Sequence, residues 1–216
     1  MKFTFVTLFP NLVEPYFHDS ILKRAVASGF ISYEFYNPRD YTTNKHSKVD
    51  AQICSGGAGM LMTPQPLFDT LDDIKNKNED AYIIFPLASA KPFRQNDAKR
   101  LAKKKNIVFV SGRYEGIDER VIEKYANEVF CIGEYILTGG ELPSLVMADA
   151  ISRNCENVLG NAQSLEIESY ENGLLEAPSF TKPENFQNLS IVKEFLKGNH
   201  SKIHDLKFQM SICKTK

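Results

Sequence analysis

Short apolar runs separated by helix-length stretches constrain this chain more than any other feature. The runs lie at residues 3–9, 30–36, 82–85, 107–110 and 129–132. All but 30–36 are nearly continuous in apolar residues, the pattern of parallel strands covered on both faces. Residues 30–36 alternate, as a half-exposed strand does. Between the runs, Asn11 is placed to cap a helix over 12–28 that Gly29 stops. Thr63 and Pro64 open another that carries Leu67, Leu71 and Ile74. A short basic helix is expected over 96–104. Residues 117–127 put Ile117, Val121, Ile122 and Tyr125 on one stripe. Residues 141–154 are apolar on most sides (Leu142, Leu145, Val146, Met147, Ile151), which predicts deep burial. Strands alternating with helices predict an α/β fold with a mostly parallel sheet.

At 216 residues the chain is long enough for a proper core, and 43% hydrophobic with 25% charged residues is a soluble globular composition. It contains no apolar run long enough to span a membrane. The opening MKFTFVTLFPNLVEPYF holds Pro10, Asn11 and Glu14 and reads as a strand and helix rather than a signal peptide. Cys54, Cys131, Cys155 and Cys213 form no metal-binding pair, so free thiols in a reducing cytoplasm are expected. The net charge of −1 gives no general vote for nucleic acid. Residues 91–105, however, hold seven basic residues and one acidic one, Asp97. Both a solvated helix face and an RNA-facing patch fit that run. After Gly160 the sequence turns polar and then proline-bearing (Pro178, Pro183), with short helices expected at 191–196 and 201–212. The expected organisation is an α/β domain at 1–160, a linker at 161–172 and a small helical domain at 173–216.

No G-x-x-x-x-G-K-[ST], G-x-G-x-x-G after the first strand, G-x-S-x-G or H-E-x-x-H string is present, which argues against the corresponding nucleotide, hydrolase and zinc sites. Instead, three loops carry the glycines: 55–59, 112–116 and 133–140. The last two directly follow the fourth and fifth strands, where open α/β sheets bind ligands. Glycine there lets main-chain groups approach a flat ligand, although tight strand-to-helix turns also want it.

The strings GRYEGIDERV (112–121), IGEYILTGGELPSLVMADAISR (132–153) and NVLGNAQSLEIESYENGLLEAPSFTKPE (157–184) are more specific. Together with LFP (8–10), PRD (38–40), GGAGM (56–60) and GNH (198–200), in that order, they resemble the bacterial tRNA (guanine-N1)-methyltransferases of the TrmD family, members of the knotted SPOUT superfamily. The resemblance covers essentially the whole chain. It implies a parallel sheet whose C-terminal part is threaded into a deep trefoil knot, a feature too rare for any pattern to predict. It implies S-adenosylmethionine held in the knot, largely by backbone groups. The matching positions are Leu87 and Ala88; Gly112, Tyr114, Glu115 and Gly116; Ile132, Gly133, Glu134, Tyr135, Ile136 and Leu137; and Gly139, Gly140 and Pro143. It further implies a homodimer whose active sites draw on both chains, and a tRNA methylated on guanine N1 at position 37, just 3′ of the anticodon. RNA contacts are expected from Arg39, Lys45, His46 and Lys48, from Gly59 and Met60 in the flexible loop, and from Asn199 and His200 in the tail. Magnesium is a further cofactor that the resemblance allows.

Methylating guanine N1 asks for a base to take the N1 proton, a group to stabilise negative charge on O6, and a methyl carbon held in line. Arg153 matches the family's catalytic arginine, and its planar fork suits O6 or a phosphate. The family's general base is an aspartate in a DSF string; here the aligned residues are Glu168-Ser169-Tyr170, one methylene longer. Glu166, Glu176 and Glu115 are the alternative carboxylates. Two further departures are Leu87-Ala88-Ser89-Ala90 in place of the family's Ser/Thr-Pro-Gln-Gly, and Cys54-Ser55 at the start of the glycine loop. Ribose 2′-O-methylation and RNA binding without catalysis are the rival readings.

Overall fold

The computed structural model describes residues 1–161, 165, 168–170 and 173–216, which form two units, Met1–Gly160 and Asn161–Lys216. The first unit runs β1 (Lys2–Val6), α1 (Ser20–Ala27), β2 (Ser32–Tyr36), β3 (Asp50–Gln52), β4 (Met60–Met62), α2 (Pro64–Lys77), β5 (Ala81–Pro86), α3 (Gln95–Leu101), β6 (Asn106–Val110), α4 (Glu119–Tyr125), β7 (Glu128–Phe130) and α5 (Glu141–Arg153). β2, β1, β6, β5 and β7 lie side by side in that order and every pairing is parallel. The α/β expectation with a parallel sheet holds, and each expected strand is present with shifted ends.

Near-continuous apolarity follows from two-sided burial. Ile107 and Phe109 join Phe3, Phe5 and Ile84 in a cluster with Leu22, Leu101, Met147 and Ile151, from α1, α3 and α5. Val108 and Val110 join Val6, Ile83 and Phe85 in a second cluster with Leu67, Leu71, Ile74 and Val121, from α2 and α4. Successive side chains of one strand thus enter opposite cores, as the pleat requires. In-register pairing sets Phe5 beside both Phe35 and Phe109, with ring centroids 5.6 Å apart in each case.

Three expectations need correction. Residues 12–28 do not form one helix: 3-10 turns at Pro10–Leu12 and Glu14–His18 precede α1. Pro15 lacks an N–H and its ring would strike the carbonyl of the residue four before it, so an α-helix cannot run through. Asn11 consequently caps nothing; Asp19 does, its Oδ1 accepting from Ser20 N at 2.6 Å. Second, α5 is not buried on every side. Leu145, Met147, Ala148 and Ile151 pack inward, whereas Leu142 is 55% and Val146 44% exposed. A helix on a sheet has one inward face, and the other stays open in the single chain. Third, α4 is shorter than 117–127; Asp118 caps it, accepting from Arg120 N at 3.1 Å.

The basic run at 91–105 is partly tied down. Glu128 Oε2 lies 3.0 Å from Lys91 Nζ, Glu128 Oε1 lies 2.8 Å from Arg100 Nη1, and Tyr82 donates to Glu128 Oε1 at 2.8 Å. The glycine loop at 55–59 proves to be the tip of the β3–β4 hairpin, which the sequence did not reveal.

The second unit holds β8 (Asn185–Phe186) paired with β9 (Leu189–Ser190), a 3-10 turn at Lys193–Leu196 and α6 (His200–Thr215). None of its described residues is buried. The expected linker, 161–172, is described only at 161, 165 and 168–170; Glu166 lies outside the described residues.

Candidate functional site

The carboxyl ends of β5, β6 and β7 open into one cavity of about 520 Å³. Its walls are the three segments that follow those strands: Leu87–Ser89, Gly112–Ile117, and the stretch from Cys131 to Pro143. Parallel strands end together, so the loops behind them must gather at one edge. Of the fifteen positions expected to hold the methyl donor, all but Glu134 line this cavity; Glu134 is exposed outside it.

Local bonds hold the walls. Loop 112–116 is fastened to β4: Glu115 N donates to Met60 O at 2.9 Å and Met62 N to Gly116 O at 3.0 Å. Tyr114 sits at φ +59°, a left-handed conformation that is uncommon outside glycine, and Gly116 follows at φ +130°. The 133–140 segment crosses that loop closely. Gly140 N donates to Gly112 O at 2.8 Å, and a Cβ on Gly140 would lie 2.8 Å from Ser111 Cα and Gly112 N. Glycine at 140 is therefore demanded by main chain meeting main chain, not by its φ of −83°. Ser144 and Ser111 hydroxyls, both buried, hydrogen-bond at 3.1 Å and hold α5 to the end of β6.

Sequence reasoning missed Arg113 and Glu141. Arg113 lines the cavity, donates through Nη1 to Thr138 O at 3.2 Å and lies over the Phe9 ring at 4.6 Å. Its Nε is 2.9 Å from Glu141 Oε2, and that carboxylate is only 3% exposed. The N–H is not aligned on the oxygen, so charge rather than a hydrogen bond couples the two. The signal available in the sequence was an acid opening an otherwise apolar helix.

The cavity suits a nucleoside-sized ligand. Its volume is within the range of small-molecule pockets, about 300–1,000 Å³. Glycines expose main-chain groups along it, and Tyr114, Tyr135 and Ile136 stand 47%, 55% and 82% exposed around it. Arg153 closes α5 half-buried, and Glu168 lies in the second unit; each already has a partner. Glu176 is exposed, its N–H donating to Ser169 Oγ at 3.1 Å.

Among the positions expected to face RNA, Lys45, His46, Lys48 and Gly59 are exposed, while Arg39 and Met60 are half-buried. Arg39 Nη1 donates to Ser47 O at 3.1 Å, which braces the 42–48 loop. His200 is the exposed first residue of α6, and Asn199 caps that helix, Oδ1 accepting from Lys202 N at 3.2 Å. Among the described residues, no group of three or more His, Cys, Asp or Glu side chains is placed to hold a metal, and no helix is long and apolar enough to cross a membrane.

Comparison with known proteins agrees in one direction. The family described as tRNA (Guanine-1)-methyltransferase TrmD matches residues 1–216. A tRNA (guanine-N(1)-)-methyltransferase of Sulfurovum sp. is 67% identical over all of this chain and 95% of its own length. A protein of the same name from Sulfurimonas denitrificans is 64% identical, covering all of this chain and 94% of its own, and one from Campylobacter jejuni is 57% identical over 220 aligned residues. Matched end to end by one family and sharing well over half its residues with several members, this chain belongs to the tRNA (guanine-1)-methyltransferases.

Proposed function

We propose that this protein transfers a methyl group from S-adenosylmethionine to N1 of guanine at position 37 of tRNA, next to the anticodon. The observation that carries the reading is the cavity walled by the loops after β5, β6 and β7, in a chain of this family. S-adenosylmethionine, when bound there, supplies an electrophilic methyl carbon on a sulfonium. The chain's own residues do the rest. Main-chain groups of 112–116 and 133–140 orient the donor, and the Tyr135, Ile136 and Leu137 side chains cover it. A carboxylate, Glu168, accepts the N1 proton as the N1–carbon bond forms and the sulfur–carbon bond breaks. Arg153 stabilises the charge that grows on O6. Position 37 is stacked in the anticodon loop, so the target base turns out into the site. Magnesium is given no step in this scheme.

The finer architecture follows from the same reading. The close crossing of 139–140 over 111–112 supports a trefoil knot in this region. Exposed Leu142 and Val146, with Leu12 and Tyr16 at 59% and 49% exposure, support a homodimer that covers them and completes each site with the partner. The exposed 42–48 loop, the β3–β4 tip and α6 are the proposed RNA contacts. A tRNA substrate and free cysteines support a cytoplasmic setting.

The test uses labelled S-adenosylmethionine and tRNA transcripts with guanine or adenine at position 37. Incorporation only into the guanine transcript, mapped to N1, is expected. Label on a ribose, or tight RNA binding with no incorporation, would overturn the assignment.

A further inference from the structure

A buried carboxylate joins three segments, two of which wall the cavity, and the proposed chemistry does not use it. Glu141 opens α5 and is 3% exposed. Its Oε1 accepts from Thr7 Oγ1 at 2.7 Å, just past β1. Its Oε2 faces Arg113 Nε at 2.9 Å, in the loop after β6. Arg113 in turn holds Thr138 O, in the loop after β7. Thr7 Oγ1 also accepts from Phe9 N at 3.0 Å, and Phe9 carries the Arg113 guanidinium on its ring. Arg113 lines both the large cavity and a smaller one of about 290 Å³ formed by the turn at 8–12. Gly139 packs against the ion pair itself: a Cβ there would lie 2.6 Å from Arg113 Nε and 2.7 Å from Glu141 Oε2.

We propose that Glu141 is a positioning residue: through Arg113 it sets the conformation of the 133–140 loop for uptake of the methyl donor, and through Thr7 it couples that loop to the turn at 8–12. A carboxylate held out of water, with one oxygen on Thr7 and the other facing Arg113, favours the Arg113 rotamer that keeps its charge opposite. That rotamer pins the Thr138 carbonyl and leaves room at Gly139 for main chain alone. The loop's shape is thereby stored in the ion pair, before any ligand arrives. The donor half of the proposal rests on the cavity being the S-adenosylmethionine site.

The experiment pairs hydrogen exchange on the ligand-free protein with calorimetry of S-adenosylmethionine, on the parent, Glu141→Gln, Glu141→Asp and Thr7→Val. For Glu141→Gln, amides of 133–140 should exchange at least about tenfold faster while β1 and β6 amides keep the parent rate, and the donor Kd should rise about tenfold. Glu141→Asp should recover part of both effects. Thr7→Val, which keeps the side-chain shape and removes the hydrogen bond, should show the same pattern at about threefold and serves if the glutamine variant does not fold. Exchange that accelerates uniformly, or a Kd within about twofold of the parent with the loop unchanged, would overturn the proposal by making Glu141 a purely structural residue. Absence of uptake by the parent would instead reject the cavity assignment, and the exchange pattern alone would then decide whether Glu141 holds the loop.

Discussion

Two glycines show how differently one residue type is used. Gly160 has nothing within 4 Å of where a Cβ would stand, whereas Gly140 faces the main chain of 111–112 at 2.8 Å. Gly160→Ala should leave the urea midpoint unchanged. Gly140→Ala should lower stability by ~2 kcal/mol, because backbone cannot rotate out of the way as a side chain can. At the reacting groups, Glu168→Gln should abolish methyl transfer while keeping the donor Kd within about threefold, since it removes proton acceptance and little else. Retained turnover would move the base to Glu166 or Glu176. Arg153→Ala should cost kcat heavily in a folded protein, as read by single-turnover rates alongside circular dichroism. Single positions were also where the sequence was hardest to read. Nothing in the sequence singled out Arg113, because its partner lies 28 positions away, at Glu141.

Elements were more legible than contacts. Strand positions were readable because two-sided burial forces an apolar run, and the α2 start because Thr63 and Pro64 mark it. The 12–28 region misled because a cap candidate at Asn11 and a stop at Gly29 outweighed one proline, and the β3–β4 hairpin escaped because three-residue strands around glycines carry no period. Two elements yield tests. Glu128, on edge strand β7, has its pKa held below the usual glutamate value: burial pushes it up, but hydrogen bonds from Arg100, Lys91 and Tyr82 outweigh that. Its contribution to stability is therefore complete above the unfolded value of about 4.3, and it is lost as pH falls through that value towards the depressed folded one. Glu128→Gln should flatten the acid limb of a stability profile taken between about pH 6 and about pH 3. In α6, Asn199→Ala should cost ~1 kcal/mol through the lost cap. Asn199→Asp keeps the cap but adds a negative charge, so it should spare thermal stability and still weaken tRNA binding if that end of α6 meets phosphate.

At the scale of the whole chain, burial is unevenly shared. Both apolar clusters lie within Met1–Gly160, and no described residue of Asn161–Lys216 is buried. A fragment of residues 1–160 should unfold cooperatively and show a melting shift with S-adenosylmethionine yet methylate no tRNA. A fragment of 161–216 should lack a cooperative transition by circular dichroism. The composition changes after Gly160, where the two compact units divide. What the sequence could not reveal was that α5 would leave Leu142 and Val146 exposed, because an apolar run over 141–154 does not mark which face turns away from the sheet. The walls of the large cavity have one more consequence. A drug that filled it would rest in part on Gly112, Gly116, Gly133, Gly139 and Gly140, and bacteria escape inhibitors by exchanging side chains. Gly140 meets main chain and cannot take even one extra carbon, so escape would have to come from side-chain positions such as Ala88, Ile136 and Leu137, and under the proposed donor assignment each such change would also loosen the hold on the methyl donor.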